Sequence, residues 1–179
     1  MTDYQPLAIH DQQPKPASLQ TQAHQAQVRK QLPLSEPKSF ENARRGFIAT
    51  LEPMQIPHQH ADRMVFDLTQ FEFLKDDSPE TVNPSLWRQA QLNAQHHGLF
   101  EVVDGIYQVR SFDIANMTLV RGETGWIIID PLTCTESARA ALALANDRLG
   151  HREVVAVIHT HSHVDHFAGI FGVTTQEAV

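Results

Sequence analysis

Cysteine is nearly absent: Cys134 stands alone among 179 residues, so no intramolecular disulfide can form and the redox compartment is not revealed. Long apolar runs are missing as well. No stretch is long enough to cross a bilayer, and residues 1–30 lack the basic-then-apolar pattern of a secretory leader. The chain therefore reads as cytoplasmic by default, with the periplasm or secretion left open. A basic excess is also lacking. Fourteen Lys and Arg against 21 Asp and Glu give a formal net charge of −7, which argues against a nucleic-acid partner, since phosphates call for a basic face. An anionic substrate would have to be captured by local groups rather than by the overall field.

What is present is concentrated near one end. His159-Thr160-His161-Ser162-His163-Val164-Asp165-His166 follows the apolar run Val154-Val155-Ala156-Val157-Ile158, which reads as a buried strand. Its core, H-x-H-x-D-H, gathers three imidazoles and one carboxylate within six residues. Nitrogen ligands with one carboxylate suit zinc best, although manganese and iron accept similar sets. Residues i and i+2 of an extended segment point to one side. That places His161 and His163 to grip one ion, while Asp165 and His166, after a turn, reach a second. Two such pairs suit a two-metal hydrolase, with ions about 3.5–4 Å apart and a hydroxide held between them. The alternative is a histidine-rich loop without a function.

The length suffices for one domain with a real core, yet it is short for this motif. A catalytic zinc takes about three protein ligands, so two ions ask for more groups than His161, His163, Asp165 and His166 supply. With Val179 so soon after the motif, the expectation is an amino-terminal fragment or a truncated reading frame.

Residues 1–34 are rich in glutamine and broken by Pro6, Pro14, Pro16 and Pro33, and read as a mobile tail with a short helix near residues 21–30. Ser39 and Gly46 bracket a short helix as cap and stop. His58 and His60 lie in a surface loop, and residues 65–74 read as one or two short strands. Asn83 and Pro84 open a helix that Gly98 can end. His96 and His97 fall in its solvent-facing last turn. Residues 99–103 and 106–110 flank Asp104-Gly105 as a hairpin, and residues 117–120 and 126–129 form a second. The run Trp126-Ile127-Ile128-Ile129 reads as a strand covered on both faces. Thr133 and Glu136 have the form of a capping box before a helix with Ala138, Ala141, Leu142, Ala145 and Leu149 on one face, stopped by Gly150. Strand, helix and strand make a βαβ unit whose carboxyl end carries the histidines, where open α/β sheets place their sites.

H-x-H-x-D-H after an apolar strand resembles the metallo-β-lactamase superfamily. Thr81-Val82-Asn83-Pro84-Ser85-Leu86-Trp87-Arg88-Gln89, Gly98-Leu99-Phe100-Glu101-Val102, Gly105-Ile106-Tyr107-Gln108-Val109-Arg110, Asn116-Met117-Thr118 and Asp130-Pro131-Leu132-Thr133 narrow the resemblance to its linear and secondary alkyl sulfatases. The resemblance implies an α/β (α+β) fold, the amino-terminal part of an αββα sandwich, incomplete in this chain. Residues 1–35 would be the tail, 36–98 an amino-terminal extension of short helices and strands, and 99–179 the first part of the metallo-β-lactamase domain. It implies zinc-dependent hydrolysis of an alkyl sulfate ester to an alcohol and inorganic sulfate by a metal-activated hydroxide. Two zinc ions would be bound, the first by His161 and His163, the second by Asp165 and His166, with Asp165 also catalytic. The full-length protein would be a homodimer, and the 179 residues alone inactive. The alternatives are another hydrolase of the superfamily, acting on a thioester, lactone or lactam, or an inactive fragment. Three positions depart from the family pattern. Ser111 and Ala168 stand where glycine is usual, the latter a source of loop strain, and His159 replaces a tyrosine, as an orienting or a buried group.

Overall fold

The computed structural model describes residues 15–178. Helices α1 (Leu19–Gln31), α2 (Lys38–Arg44), α3 (Pro84–Gln95) and α4 (Thr135–Leu149) accompany strands β1 (Phe47–Ala49), β2 (Gln55–Pro57), β3 (Met64–Asp67), β4 (Gly98–Val103), β5 (Ile106–Arg110), β6 (Met117–Arg121), β7 (Trp126–Ile129) and β8 (Val154–Ile158). Six strands form one sheet in the order β1-β4-β5-β6-β7-β8, and β2 pairs with β3 separately. Pairing is antiparallel from β1 to β7, and β8 joins β7 in parallel.

The two hairpins form where alternation and turn chemistry agree. Gly105, at φ 76°, closes β4 on β5 with Val103 opposite Ile106. Tyr107, Val109, Met117, Leu119, Trp126 and Ile128 alternate onto one face and are buried there. Against that cluster lie Ala138, Ala141 and Ala145 of α4, with Met54 and Ile56 from the β2–β3 segment. The small alanines let the helix approach closely, which is the packing that an amphipathic stripe of this kind secures. β7 and β8 are the two parallel strands of the βαβ unit, with α4 between them in sequence.

The opposite face of the sheet has no comparable cover among the described residues. Ile127 and Ile129 are therefore only partly buried, contrary to the expectation that β7 is covered on both sides. The strand preceding the histidines is not buried either. β8 is an edge strand, and Val155 and Ile158 are about half exposed.

Several local expectations are corrected by hydrogen bonding. Thr133 does not cap α4, because its N–H and hydroxyl both donate to the Asp113 carboxylate at 2.9 and 2.6 Å. Cys134 takes the cap position without a side-chain bond to the helix backbone, its thiol donating to the Ser137 hydroxyl at 3.4 Å, and Glu136 instead accepts from the Gln59 N–H at 3.1 Å. Pro37, not Ser39, caps α2. α3 starts as expected, with the Asn83 side chain accepting from the Ser85 N–H at 2.9 Å, but it ends at His96, and Gly98 begins β4. Of the stretch read as strands, only β3 is one. Residues Leu68–Lys75 wind into 3₁₀ turns, opened by the Asp67 carboxylate accepting from the Thr69 N–H. Helix α1 is the short helix expected near residues 21–30 within the tail, and it is docked through Arg29, whose guanidinium donates to Ser78 at 2.8 and 3.2 Å. Residues 1–14 of that segment lie outside the described residues.

Ser111 has φ 57°, which accounts for the glycine usual there. A non-glycine residue pays about 1 kcal/mol in that region, partly offset by the bond from the Ser111 hydroxyl to the Asn93 carbonyl at 3.2 Å. Ser111→Gly is expected to raise the melting temperature by a few degrees. A drop on calorimetry would show that the hydroxyl outweighs the backbone.

Candidate metal centre

The run expected to continue as an extended strand bends away once β8 ends at Ile158, and Val164–His166 forms a 3₁₀ turn. The bend, rather than a strand pleat, sets the side chains. The His161 ring lies 4.7 Å from that of His163 and 4.0 Å from that of His166, centroid to centroid, and His166 Nε2 stands 3.2 Å from Asp165 Oδ2. All four ligand candidates thus fall in one cluster. His161 and His163 are exposed, and Asp165 and His166 are partly buried.

The organising residue is Asp130, which follows β7 on the neighbouring strand. Its carboxylate accepts from the Thr160 N–H at 2.8 Å, from the Thr160 hydroxyl at 2.7 Å and from His166 Nδ1 at 2.8 Å. Asp130 is 8% exposed and adopts φ 57°, a conformation that Asp tolerates better than most residues. Burial alone would raise its carboxyl, but the bonds from Thr160 and His166 outweigh that and hold it below the usual carboxylate range. The same bond pushes the His166 imidazole above its ordinary value, with burial opposing and Asp165 adding.

These bonds fix tautomers. An ionised carboxylate only accepts, so the Thr160 hydroxyl must donate to Asp130. Its oxygen then accepts from His161 Nδ1, 2.9 Å away, which leaves His161 Nε2 with a free lone pair. His166 likewise spends Nδ1 on Asp130 and turns Nε2 toward Asp165. Carboxylate-held histidines of this kind are characteristic of metal ligands. Two donors on one tetrahedral zinc stand about 3.4 Å apart at ordinary ligand distances, and His166 Nε2 and Asp165 Oδ2 match that edge. Of the two donor pairs, Asp165 and His166 have this spacing. Among the described residues no group of three or more His, Cys, Asp or Glu side chains surrounds one point.

Sequence reasoning missed Asp130 and Thr160 as parts of this site. A carboxylate placed directly after an apolar strand, beside the strand that carries the histidines, was the signal available. His159, expected as an orienting or buried group, is exposed. Its Nδ1 lies 3.2 Å from the His166 carbonyl, and its ring meets Phe167 edge-on. Ala168 does not adopt a positive φ. The close approach falls on Gly169, where an added Cβ would stand 2.0 Å from the Pro131 carbonyl oxygen.

Residues 110–178 match the metallo-β-lactamase superfamily model. Over 167 residues, 92% of its length, the chain is 46% identical to a linear primary-alkylsulfatase of Pseudomonas sp., covering 24% of that protein. It is also 46% identical over 174 residues, 97% of its length, to an (R)-specific secondary-alkylsulfatase of Pseudomonas sp., covering 26% of it. The chain is similar to alkylsulfatases over most of its length, with the metallo-β-lactamase superfamily match lying in its second half. Its fold superimposes on the solved stereoselective inverting sec-alkylsulfatase Pisa1 from Pseudomonas sp. with a TM-score of 0.84 and 47% identity, over 91% of this chain and 25% of that one. The chain spans about a quarter of the length of these relatives. No helix among the described residues is long and apolar enough to cross a membrane.

Two histidines far from the loop depart from their expected solvent-facing turn. His97 Nδ1 is 2.6 Å from the Thr50 hydroxyl, and His96 is partly buried. Burial lowers both imidazoles, Arg44 adding at His96 and Glu52 opposing at His97. Because the unfolded chain takes up the proton first, the stability His97 confers is complete above its ordinary value of 6.5 and is lost as pH falls below it. Melting temperature should fall between pH 7 and pH 5, and His97→Gln should flatten that slope. Equal slopes would show that His97 is not its source.

Proposed function

We propose that the protein containing this chain hydrolyses alkyl sulfate esters to an alcohol and inorganic sulfate, with zinc held by His161, His163, Asp165 and His166. The observation that carries this is the Asp130-held cluster on a chain 46% identical to two alkylsulfatases. Zinc, when bound, supplies a Lewis acid that lowers the pKa of water toward about 7 and offsets charge on the sulfate. The chain's own part is orientation. Asp130 keeps the proton of His166 on Nδ1, and Thr160 keeps that of His161 on Nδ1, so both rings present Nε2. Asp165 places its carboxylate beside His166 Nε2, the position from which it would serve as ligand and catalytic group. The cluster supplies two donor pairs and so calls for further ligands from beyond these residues. These 179 residues alone are accordingly inactive; likeness to the alkylsulfatases makes the whole protein a homodimer acting on a small-molecule substrate, and the net charge of −7 gives it no nucleic-acid partner.

The structural relative is described as inverting. Inversion is a change at carbon, which attack at sulfur would leave untouched, so C–O cleavage is the reading for this protein. Hydrolysis of a secondary alkyl sulfate in ¹⁸O-labelled water should place the label in the alcohol, and label in the sulfate would mean S–O cleavage. Release of sulfate from decyl sulfate, compared with hydrolysis of thioester, lactone and lactam substrates, separates the alkyl sulfatase reading from the rest of the superfamily.

A further inference from the structure

A trough of about 1130 Å³ lies between α2, β1, the 3₁₀ turns after β3 and the end of α3, and none of its lining residues belongs to the histidine loop. β1 and β8 are opposite edges of the sheet. At about 4.8 Å per strand spacing they are about 24 Å apart, so the trough is separate from the metal centre. Its apolar wall is built from Phe47, Leu51, Met54, Leu68 and Leu74, while Arg44, His96 and His97 line it as well. An apolar cavity with a few convergent polar groups is the usual form of a small-molecule site.

The charges on its rim are not all satisfied. Glu36 lies 3.6 Å from Arg88 and Glu72 lies 3.1 Å from Lys75. Arg44, exposed at the rim, has no side-chain hydrogen bond or ion pair among the described residues. Glu52 is the one rim carboxylate similarly unpaired among the described residues. An apolar wall beside an unpaired guanidinium complements a molecule with an alkyl chain and one anionic head.

We propose that this trough is a second binding site for a single-chain anionic amphiphile, its alkyl chain against Leu51, Met54 and Leu68 and its head on Arg44. The head chemistry is shared by a sulfate ester and a carboxylate, and the proposal concerns binding alone. It stands whether or not the histidine loop hydrolyses alkyl sulfates.

The test is calorimetric titration of the complete protein, as its source makes it, with decanesulfonate and with decanoate, both below their micelle concentrations and neither containing an ester to hydrolyse. In His163→Ala, which disables the metal centre, one site per chain should remain. Arg44→Gln should weaken it about tenfold while leaving decanol binding unchanged, and octanesulfonate should bind up to about fifteenfold more weakly than decanesulfonate. Tighter binding of the sulfonate would identify sulfate esters as the natural ligands, and tighter binding of the carboxylate would identify fatty acids. Loss of all binding in His163→Ala, or equal affinities for wild type and Arg44→Gln, would overturn the proposal. Leu51→Asp provides a second variant, which should abolish chain binding with the melting temperature as a check on folding.

Discussion

Replacing Asp130 by Asn is expected to weaken zinc binding by about 10–100-fold, a loss typical when a group that orients a ligand is removed, and to abolish hydrolysis by the complete protein. Asn tolerates positive φ about as well as Asp, so the backbone at φ 57° is preserved and only the charge is lost. The amide oxygen must still accept from the Thr160 N–H, so the amide nitrogen faces His166 Nδ1. That nitrogen donates, forces the ring proton onto Nε2, and blocks the atom that a cation needs. Asp130→Ala adds a different penalty. It removes three hydrogen bonds from a buried carboxylate and puts Ala where φ is positive, and should cost about 2–4 kcal/mol of stability. Competition of each variant with a chromogenic chelator for zinc, beside its melting curve, separates the two effects. Zinc affinity in Asp130→Asn equal to that of the wild type would show that the carboxylate does not orient His166.

The second large effect is expected at Gly169. Its N–H donates to the Leu132 carbonyl at 2.9 Å, and a Cβ there would meet the carbonyl oxygens of Pro131 at 2.0 Å and Cys134 at 2.8 Å. Both obstacles are backbone and belong to the segment leading into α4, so neither can swing aside. Gly169→Ala should therefore cost at least about 2–3 kcal/mol through overpacking, roughly a 5–10 °C fall in melting temperature for a chain of this size. Since Gly169 follows His166 by three residues, zinc affinity should fall with it. Ala168→Gly is the control, expected within about 1 kcal/mol of the wild type. A fully stable Gly169→Ala would mean that the loop relaxes around the methyl group at little cost.

The parts of the fold legible in the sequence are those where one local rule met no competitor. The β4–β5 and β6–β7 hairpins follow from alternation around short turns, and α4 from its alanine stripe and Gly150. The parts that were not legible depend on partners distant in sequence. Thr133 has a capping-box pattern, but Asp113, twenty residues earlier, takes its hydroxyl and its N–H. Residues Leu68–Lys75 have the composition of a strand, yet the Asp67 carboxylate turns the chain into 3₁₀ structure. The exposure of β8 is a property of sheet order, since an apolar run looks the same at an edge as in the middle.

The candidate site divides in the same way. His161, His163, Asp165 and His166 stand out because their spacing is local, whereas the tautomer of His166 is set by Asp130, and that of His161 by Thr160 bonded to the same carboxylate, which reaches them only because β7 and β8 are parallel neighbours. Gly169 and Ala168 are adjacent in sequence, and only the position of the Pro131 carbonyl says which of them must lack a side chain.

The most direct test of the account is sulfate release from decyl sulfate by the complete protein, measured as isolated, after removal of metal by a chelator, and after zinc is restored. Release that is lost with the chelator and regained with zinc is expected, with neither step effective in His163→Ala. Release that survives metal removal, or is unchanged in His163→Ala, would contradict a metal-dependent alkyl sulfatase built on this cluster.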